Sequence, residues 1–524
     1  MIRRNVLRAG ALLLLSSATV AEAGGYEIPE NTTRGLGRGG ANIAHVADPT
    51  ATYFNPAGLT RVDGFGFSGS LNLPMQFTRF HRSDFEYQAL GSEDTLTVQY
   101  KEERNQISWL PAPMLFFSHD FGLKNTAFGF AVYGPSATPA MRWGGPDENA
   151  ETPNFANPKP DPRGGGNVYM LQDADLLVVY PSISVAHRFE NINLSIGGAL
   201  QMVYASTRVN VGLEGTTGTA YLNEADVRSP ENPNGVLFAE EPGSMVGAEV
   251  KTSGVGITGN FGIMYDPIPQ LSIGLSYRPA HKVKMKGTFA IVEDAALGGL
   301  NLELLDDKAS MDITMPHVLR AGINYRHIVD GFEVFDIELA ATYEMWSIVN
   351  EMVAHTPGPI TSSAFASRPI EDVAIPFNFK NTVSLRLGGD FNGMLDRETG
   401  QGLVLRGGFF WESNGAPSQY SNILFMPFQR IALSGGLSYH FEKVSIDLGM
   451  MWMRNFTREV TDGEYNIINP LWVCLNGEGV NGGTKDEVLA RCEENGDRSP
   501  YHAVNNGTYK TDMVNISAGL TYNW

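Results

Sequence analysis

The sequence predicts an all-β transmembrane barrel of fourteen antiparallel strands, with an N-terminal, partly helical hatch that plugs the bore. Three observations predict this fold. Apolar residues recur at every second position in many segments, short and long connections alternate between those segments, and a glycine-rich stretch without that alternation precedes the first of them. Transmembrane barrels combine the same two-residue period with short turns on one side of the membrane and long loops on the other.

Residues 1–23 have the organisation of a secretory signal peptide. Three arginines within the first eight residues precede the apolar stretch Ala9–Val20, and Ala21-Glu22-Ala23 is an A-x-A cleavage motif. The apolar stretch is too short for a spanning helix. We therefore expect an exported protein that begins at Gly24 and has no helical membrane anchor.

The glycine-rich stretch that follows predicts the hatch. Residues 24–61 lack the two-residue period and include helix-compatible segments such as Gly39–Val46. A simple porin does not need such a segment before its first strand. We therefore assign residues 24–61 to a hatch inside the bore and residues 62–524 to the barrel.

The last segment of the chain shows the strand pattern most clearly. Its apolar residues Val514, Ile516, Ala518, Leu520, Tyr522 and Trp524 alternate with polar or small ones. Such runs reach the length of about 9–11 residues that a spanning strand needs. Fourteen candidate strands begin near Gly64, Gln106, Asn125, Leu176, Asn191, Val255, Leu271, Ala309, Phe332, Asn381, Gly402, Phe428, Lys443 and Asp512.

The connections between the candidate strands indicate their orientation in the membrane. Short links such as Asp120–Lys124 and Asp266–Gln270 alternate with long ones such as Gly212–Gly254 and Arg454–Thr511. Short turns face the periplasm and long loops face outward, so the even strand count puts both termini on the periplasmic side. We expect the outer membrane of a Gram-negative bacterium, with its lipid and lipopolysaccharide around the barrel.

Composition restricts the possible partners. The 524 residues carry a formal net charge of −19, which disfavours nucleic acid because phosphate binding needs clustered Lys and Arg. No Cys or carboxylate cluster accompanies His45, so we expect no metal and no cofactor. Cys474 and Cys492 lie in one late polar segment, and in an exported protein we expect them to form a disulfide in the last outer loop.

Three features leave two interpretations open. Gly35–Gly40 looks like a phosphate-binding loop but follows no predicted strand, which favours tight packing of a plug. Asn55-Pro56-Ala57 is either a structural turn of the hatch or part of a gate. Charges that face the bore either brace the barrel as ion pairs, which we favour, or bind a carboxylate head group. These charges are Arg320, Arg326, Asp336, Glu338, Glu344, Arg386 and Arg406.

Several short motifs together resemble one protein family. They are Gly25-Tyr26-Glu27, Gly35-Leu36-Gly37-Arg38-Gly39-Gly40, Asn55-Pro56-Ala57-Gly58-Leu59, Tyr133-Gly134-Pro135, Thr314-Met315-Pro316-His317 and Tyr343-Glu344-Met345-Trp346-Ser347. The mature chain is similar over its whole length to the FadL-type transporters of long-chain fatty acids, a family that includes uptake channels for toluene and related hydrocarbons. The resemblance implies a 14-stranded barrel, in agreement with the count from periodicity.

The resemblance also implies a transport route. Substrate would be captured among the outer loops Gly212–Gly254 and Glu293–Lys308, and would then bind inside the barrel near Gly24, Gly25 and Tyr26. It would leave sideways at a kink in the third strand, near Phe128–Pro135. Gly129, Gly134 and Pro135 weaken strand pairing there. Tyr26 stands where the family typically has Phe, and its hydroxyl favours a polar-headed or aromatic substrate.

We therefore predict a monomeric uptake protein for hydrophobic molecules that is not an enzyme. The barrel-assembly machinery would recognise its C-terminal aromatic strand. A surface adhesin built on the long acidic loops is one alternative, although an adhesin needs no plug. An outer-membrane lipid hydrolase is a weaker alternative, because the sequence has few His residues and no G-x-S-x-G motif.

Overall fold

The first and last strands of the chain pair with each other and close the barrel. Strand β1 (Phe65–Arg82) pairs antiparallel with the C-terminal strand Gly507–Asn523, from Gly66 opposite Asn523 to Arg82 opposite Gly507. Closure leaves no sheet edge, and only a closed sheet can satisfy all its backbone hydrogen bonds in lipid. This computed structural model describes residues 32–88, 95–98, 100–107, 111–134, 138–143, 166–214, 245–292, 303–356, 358–361, 368–369, 372–465 and 503–523.

The wall strands follow one another around the barrel in chain order, and all strands are numbered along the chain. After β1 come β2 (Phe85–Gln88), β3 (Thr95–Val98), β4 (Glu103–Arg104), β5 (Ala112–His119), β6 (Thr126–Tyr133), β7 (Thr138–Arg142), β8 (Asp173–Phe189), β9 (Leu194–Glu214), β10 (Met245–Ile268), β11 (Leu271–Arg278), β12 (His281–Val292) and β13 (Glu303–Leu304). The second half contains β14 (Lys308–Met315), β15 (Val318–Val329), β16 (Phe332–Glu344), β17 (Glu351–His355), β18 (Pro359–Thr361), β19 (Arg368–Pro369), β20 (Val373–Pro376), β21 (Thr382–Leu395), β22 (Gly402–Glu412), β23 (Arg430–His440), β24 (Val444–Asn455), β25 (Arg458–Val460) and β26 (Gly507–Asn523).

These strands form fourteen wall strands, which confirms the predicted barrel. Seven wall strands consist of two segments in succession: β4 with β5, β6 with β7, β11 with β12, β14 with β15, β16 with β17, β20 with β21, and β24 with β25. Two small separate sheets, β2 with β3 and β13 with β18 and β19, lie in long connections and were not predicted.

Alternate residues of the wall strands face outward and are apolar. On β10, Ile257 is 72% exposed, and Phe261 and Ile263 on the same face are also exposed. In lipid such a face is solvated, whereas in water it would drive association. Among the helices of the described residues, none combines the length and apolarity needed to span a membrane.

The described part of the hatch lies inside this wall. It contains helix α1 (Thr33–Gly37), helix α2 (Ala51–Phe54) and the 3₁₀ helix Pro56–Arg61. Thr32 caps α1, because its Oγ1 accepts a hydrogen bond from the Gly35 N–H at 3.1 Å. Residues 1–31 lie outside the described part of the chain, so the signal peptide and the start of the hatch stay predictions.

The segment Gly39–Val46, which has helix-compatible residues, is not a helix. Gly39 and Gly40 have φ of 64° and 78°, values that end a right-handed helix. Beyond them, the backbone N–H groups of Ile43, Ala44 and His45 donate to a side chain of the wall instead of to a helical turn. The helical parts of the hatch lie on either side of this segment.

The wall extends further outward than the hydrophobic pattern predicts. The tenth wall strand begins at Val373 rather than near Asn381, and β10 begins at Met245 rather than near Val255. These extensions lie beyond the apolar belt, where an outward-facing residue contacts water. Their apolar residues, such as Val250 and Val373, face the bore instead, so an outward apolar face does not mark these extensions.

Candidate functional site

The hatch is tied to the wall by the turn Asn55-Pro56-Ala57. Asn55 is fully buried. Its Nδ2 donates to the backbone oxygens of Ile43 at 2.9 Å and Ile263 at 3.0 Å, and its Oδ1 accepts from the Ala57 N–H at 3.2 Å. One side chain therefore joins two parts of the hatch to β10. These contacts match the interpretation of this motif as hatch structure, and a role in gating stays a proposal.

Two glycines of the wall make room for this turn. Gly197 of β9 and Gly262 of β10 lie directly opposite each other. A Cβ on Gly262 would collide with Asn55 Oδ1, and one on Gly197 would lie 2.5 Å from the carbonyl carbon of Pro56. Real Cβ atoms do not come so close to other heavy atoms, so the hatch can reach the wall here only because both residues lack side chains.

A buried arginine forms the second attachment of the hatch. Arg38 is 1% exposed, and its guanidinium donates to both carboxylate oxygens of Asp336 at 2.7 and 3.0 Å and also to Asp390. Asp390 in turn accepts from Arg406 Nε at 3.0 Å. A buried ion pair is stable only when its members are fully hydrogen-bonded, and this geometry meets that condition.

The backbone of the hatch also donates hydrogen bonds to an acidic residue of the wall. Glu338 accepts hydrogen bonds from the backbone N–H groups of Ile43, Ala44 and His45 at 2.6, 3.1 and 2.8 Å. The imidazole of His45 lies 3.4 Å from Asp336. Burial, together with the charge of Arg38, lowers the pKa of His45 to about 4, so its ring is neutral at neutral pH.

Most of the interior charges singled out in the sequence therefore have partners. Asp336, Glu338 and Arg386 bind the hatch directly, in addition to the bracing of the wall that we expected. Arg406 braces the wall, because it pairs with Asp390 and Asp447. His45, Asp336 and Asp390 approach one another closely enough to share a cation. Arg38 donates to both carboxylates and Arg406 donates to Asp390, so two positive charges already balance the two negative ones.

An aromatic cluster lies on the hatch, on the side away from the short turns. The Tyr53 ring of α2 is 5.2 Å from the Tyr133 ring of β6, which is 5.5 Å from Phe116 and 5.8 Å from Tyr180. All four side chains are buried. We call these four residues the aromatic cluster. It is continuous from the hatch to three neighbouring wall strands, β5, β6 and β8.

Arg320 borders the aromatic cluster. Its guanidinium lies 5.3 Å from the centre of the Tyr53 ring, and the side chain is buried. Within the described residues, its Nη2 has no hydrogen-bond partner, and it makes no ion pair. A buried cation without a counter-ion is unfavourable, so this position suits an anionic or strongly polar group of a bound molecule.

The third wall strand is interrupted beside the aromatic cluster. Segment β6 ends at Tyr133, Gly134 follows, and β7 resumes at Thr138. Pairing between β5 and β6 ends at Leu115 opposite Val132. Within the described residues, the next pair on that side of the third wall strand is the isolated bridge of Gln106 with Arg142. Pairing with β8 continues past the break with a change of register.

The three residues predicted to form the kink occupy different places. Gly134 lies at the interruption, where a Cβ would be 2.8 Å from the backbone oxygen of Val178. Gly129 lies within continuous pairing, opposite Ser118 and Ser184, and its missing side chain makes room for Thr52 of the hatch. Pro135 is outside the described residues, as are Gly24, Gly25, Tyr26, Cys474 and Cys492.

A second apolar cluster lines the bore near the long connections. It is built from buried residues of β9, β10, β12 and their neighbours, including Val211, Leu213, Val250 and Phe289. Parts of the two predicted capture loops, Gly212–Gly254 and Glu293–Lys308, are strand in the structure or lie outside the described residues. The cluster gives the outer end of the bore an apolar inner surface.

Fold and interior together define a plugged transport barrel of the outer membrane. The family model described as outer membrane protein transport protein (OMPP1/FadL/TodX) matches residues 168–477, more than half of the chain. The protein belongs to this family. The predicted location in the outer membrane and the predicted uptake of hydrophobic molecules are thereby confirmed at the level of the family.

Solved structures agree with this assignment in fold. A FadL homologue of Pseudomonas aeruginosa has a TM-score of 0.65 at 18% identity, over 95% of this chain and 100% of that one. The toluene transporter TbuX of Ralstonia pickettii has a TM-score of 0.56 at 16% identity, over 95% and 99%. The toluene transporter TodX of Pseudomonas putida has a TM-score of 0.59 at 13% identity, over 95% and 99%. No curated protein sequence matches the chain.

Sequence reasoning missed Tyr53, Tyr180 and the function of Arg38. A usable signal was present for the hatch contacts, because glycines recur at bore-facing positions of neighbouring strands, as Gly197 and Gly262 do. Small residues at facing positions indicate that another backbone approaches closely. No local signal in the sequence pairs Arg38 with Asp336.

We predict that Arg38→Met lowers the free energy of unfolding by about 3–5 kcal/mol, because it leaves the buried carboxylates of Asp336 and Asp390 without their shared cation. Unfolding by urea or guanidinium in lipid vesicles measures this change. Arg397→Met is the control, since Arg397 is 56% exposed and lies in a short turn. An unchanged unfolding midpoint for Arg38→Met would show that Arg38 does not hold the hatch.

We predict that Gly262→Ala lowers stability by about 1–3 kcal/mol through overpacking, since the new methyl group meets Asn55. It also makes the hatch more accessible to added protease. Gly407→Ala provides a matched control, because a Cβ on Gly407 has no heavy atom within 4 Å. Equal unfolding and equal proteolysis of the two variants would contradict the close contact between hatch and wall.

Proposed function

We propose that this protein takes up small hydrophobic molecules by capture at the outer end of the bore, binding at the aromatic cluster and sideways release into the membrane. The observation that carries the proposal is the interruption of the third wall strand at Tyr133 and Gly134, beside the aromatic cluster and directly above the hatch.

The hatch makes a straight route through the bore unfavourable. Displacing it would separate Arg38 from Asp336 and Asp390 and would break the hydrogen bond of Asn55 to the Ile263 backbone oxygen. Breaking one buried ion pair costs about 3–5 kcal/mol. A molecule that reaches the aromatic cluster therefore has an easier exit through the wall, where backbone pairing is already interrupted.

Sideways release also suits a substrate that is poorly soluble in water. Each Å² of apolar surface that leaves water gains about 25 cal/mol, and a route from the apolar outer cluster to the aromatic cluster and then into lipid keeps that surface covered. Release into the periplasm would expose it again. The acyl chains of the membrane accept the substrate without this loss.

We propose further that the substrate has an acidic or strongly polar head. The buried guanidinium of Arg320 beside Tyr53 would then receive a hydrogen-bonded counter-ion. This favours fatty acids over toluene, which the related TbuX and TodX are described as transporting. We place Gly24, Gly25 and Tyr26 at the same inner site and Asn55-Pro56-Ala57 at its base, in accord with the family resemblance.

The protein acts, in this proposal, as a monomer without catalysing a reaction. The barrel-assembly machinery inserts it by recognising strand β26, and lipopolysaccharide surrounds its outer half. The disulfide between Cys474 and Cys492 belongs to the same set of proposals. Uptake of labelled oleate and toluene by cells with and without the protein tests the function itself: no difference for either compound would favour an adhesin.

We predict that Arg320→Met weakens binding of oleate to the purified protein by about tenfold or more, because a hydrogen bond to a charged group is worth about 1.5–3 kcal/mol. Toluene binding should not change. Arg188→Met serves as control, since Arg188 pairs with Asp266 at 2.8 Å near the short turns. Equal loss of oleate and toluene binding would show a structural rather than a head-group role.

We predict that Gly134→Val combined with Pro135→Val slows uptake into cells while equilibrium binding to the purified protein stays within about twofold. β-branched residues favour continuous strand, so the double variant should extend pairing across the interruption. Gly407→Val adds the same kind of side chain on the lipid face, where space is open. Normal uptake by the double variant would rule out sideways release at this break.

A further inference from the structure

Three cations lie in register on adjacent strands at the outer end of the barrel. Arg79 of β1 is directly opposite Arg104 of β4 on one side and Lys510 of β26 on the other. All three side chains are exposed. Residues directly opposite in an antiparallel pair point to the same face, so three positive charges share one surface. We call these three residues the cation row.

The cation row faces the membrane side of the wall. On the same face of β1, Leu71 and Phe77 are 50% and 40% exposed, whereas the neighbouring residue Phe80 on the other face is fully buried. The start of β1 pairs with the end of β5 next to the short turn Asp120–Lys124, so Arg79 lies at the end with long connections. The cation row therefore begins where the apolar belt ends.

Like charges directly opposite one another destabilise an antiparallel pair, and this chain compensates the cation row poorly. Arg104 is 3.2 Å from Glu102, a pair exposed to solvent. Neither Arg79 nor Lys510 makes an ion pair with any described carboxylate, although the net charge of the chain is −19. Elsewhere on the outer rim the register places Lys284 opposite Asp312, which is the favourable combination of signs.

We propose that the cation row binds the phosphate groups of lipopolysaccharide head groups in the outer leaflet. Neighbouring strands are about 4.8 Å apart, so three long basic side chains can converge on phosphates of one head group. Arg79 and Arg104 can each present two N–H donors to a phosphate. The acyl chains of the same lipid would lie against Leu71 and Phe77 below, so one molecule satisfies both surfaces.

The proposal does not depend on the transported substrate. It explains why cations stand opposite one another on a lipid-facing surface of an acidic protein: the anion that separates them belongs to the membrane. Binding should weaken at high salt, because the row is at the surface and its charges are screened. The apolar contacts below the row should not show this dependence.

The test measures binding of purified lipopolysaccharide to the full-length protein in phospholipid nanodiscs. The variant is Arg79→Gln with Lys510→Gln, and the control is Lys124→Gln with Arg397→Gln, which removes the same charge from exposed positions in the short turns. We expect the dissociation constant to rise about 25-fold for the variant, since each cation near an anionic surface contributes about fivefold, and to stay unchanged for the control.

Two further arms identify the ligand group. Dephosphorylated lipopolysaccharide should bind native protein and variant equally weakly. Millimolar inorganic phosphate should displace little lipopolysaccharide from the native protein, because the lipid rather than free phosphate is the proposed ligand. Lipopolysaccharide should raise the thermal unfolding temperature of the native protein more than that of the variant. Without lipopolysaccharide, the variant should be at least as stable as the native protein, because the repulsion is removed.

Equal affinity of native protein and variant would overturn the proposal, as would tight binding of the dephosphorylated lipid that still depends on Arg79 and Lys510. If the double variant does not insert into membranes, two single variants decide the question. We expect a fivefold loss for Arg79→Gln and a smaller loss for Arg79→Lys, which keeps the charge but not the paired N–H donors. Equal losses in the two single variants would contradict a charge-based contact.

Discussion

The requirement that every backbone polar group be hydrogen-bonded in lipid determines the rest of this structure. Pairing of β1 with β26 from Gly66 to Arg82 removes the two sheet edges. Closure then creates an interior that side chains of fourteen wall strands do not fill, and the N-terminal segment occupies it. The hatch therefore follows from the size of the barrel, and specific residues must hold it against the wall.

The hatch is attached by specific polar contacts in addition to apolar packing, such as that of Leu36 and Leu59 against wall residues. Arg38 and Asn55 are buried and donate to groups of β16, β21 and β10, while paired wall glycines let the two backbones approach. Removing one partner of such a contact leaves a buried group unsatisfied. These contacts fix the position of the hatch. They therefore also fix the position of Tyr53, the hatch residue of the aromatic cluster.

A structural feature could be predicted from the sequence when the residues that determine it lie close together along the chain. The fourteen strands and short turns were predictable, because the boundary between lipid and bore imposes a period of two on adjacent residues. Outside the membrane that boundary is absent, and the extensions at Met245 and Val373 were missed. Gly39–Val46 has helix-compatible residues, but its N–H groups are satisfied by Glu338, almost 300 positions away. The motif with Asn55 was found by resemblance, whereas the partners of Arg38 required the fold.

The proposed sideways route depends on a local exception to the constraint that closes the barrel. Pairing is broken at several places in the described wall, for example between Met311 and Val318 of the eighth wall strand. Beside Tyr133, the described pairing of β5 with the third wall strand ends at Leu115 opposite Val132, and the next pair is the bridge of Gln106 with Arg142. Unpaired backbone groups are unfavourable in hydrocarbon, so an opening there must face a polar or protein-lined space. The aromatic cluster, with the hydroxyl of Tyr133 and the hydrogen-bonded pair of Tyr180 and His281, provides such a lining. Tyrosine rings offer an apolar surface to the substrate, and their hydroxyl groups offer hydrogen bonds to the unpaired backbone beside Tyr133. Leucines would provide only the apolar surface.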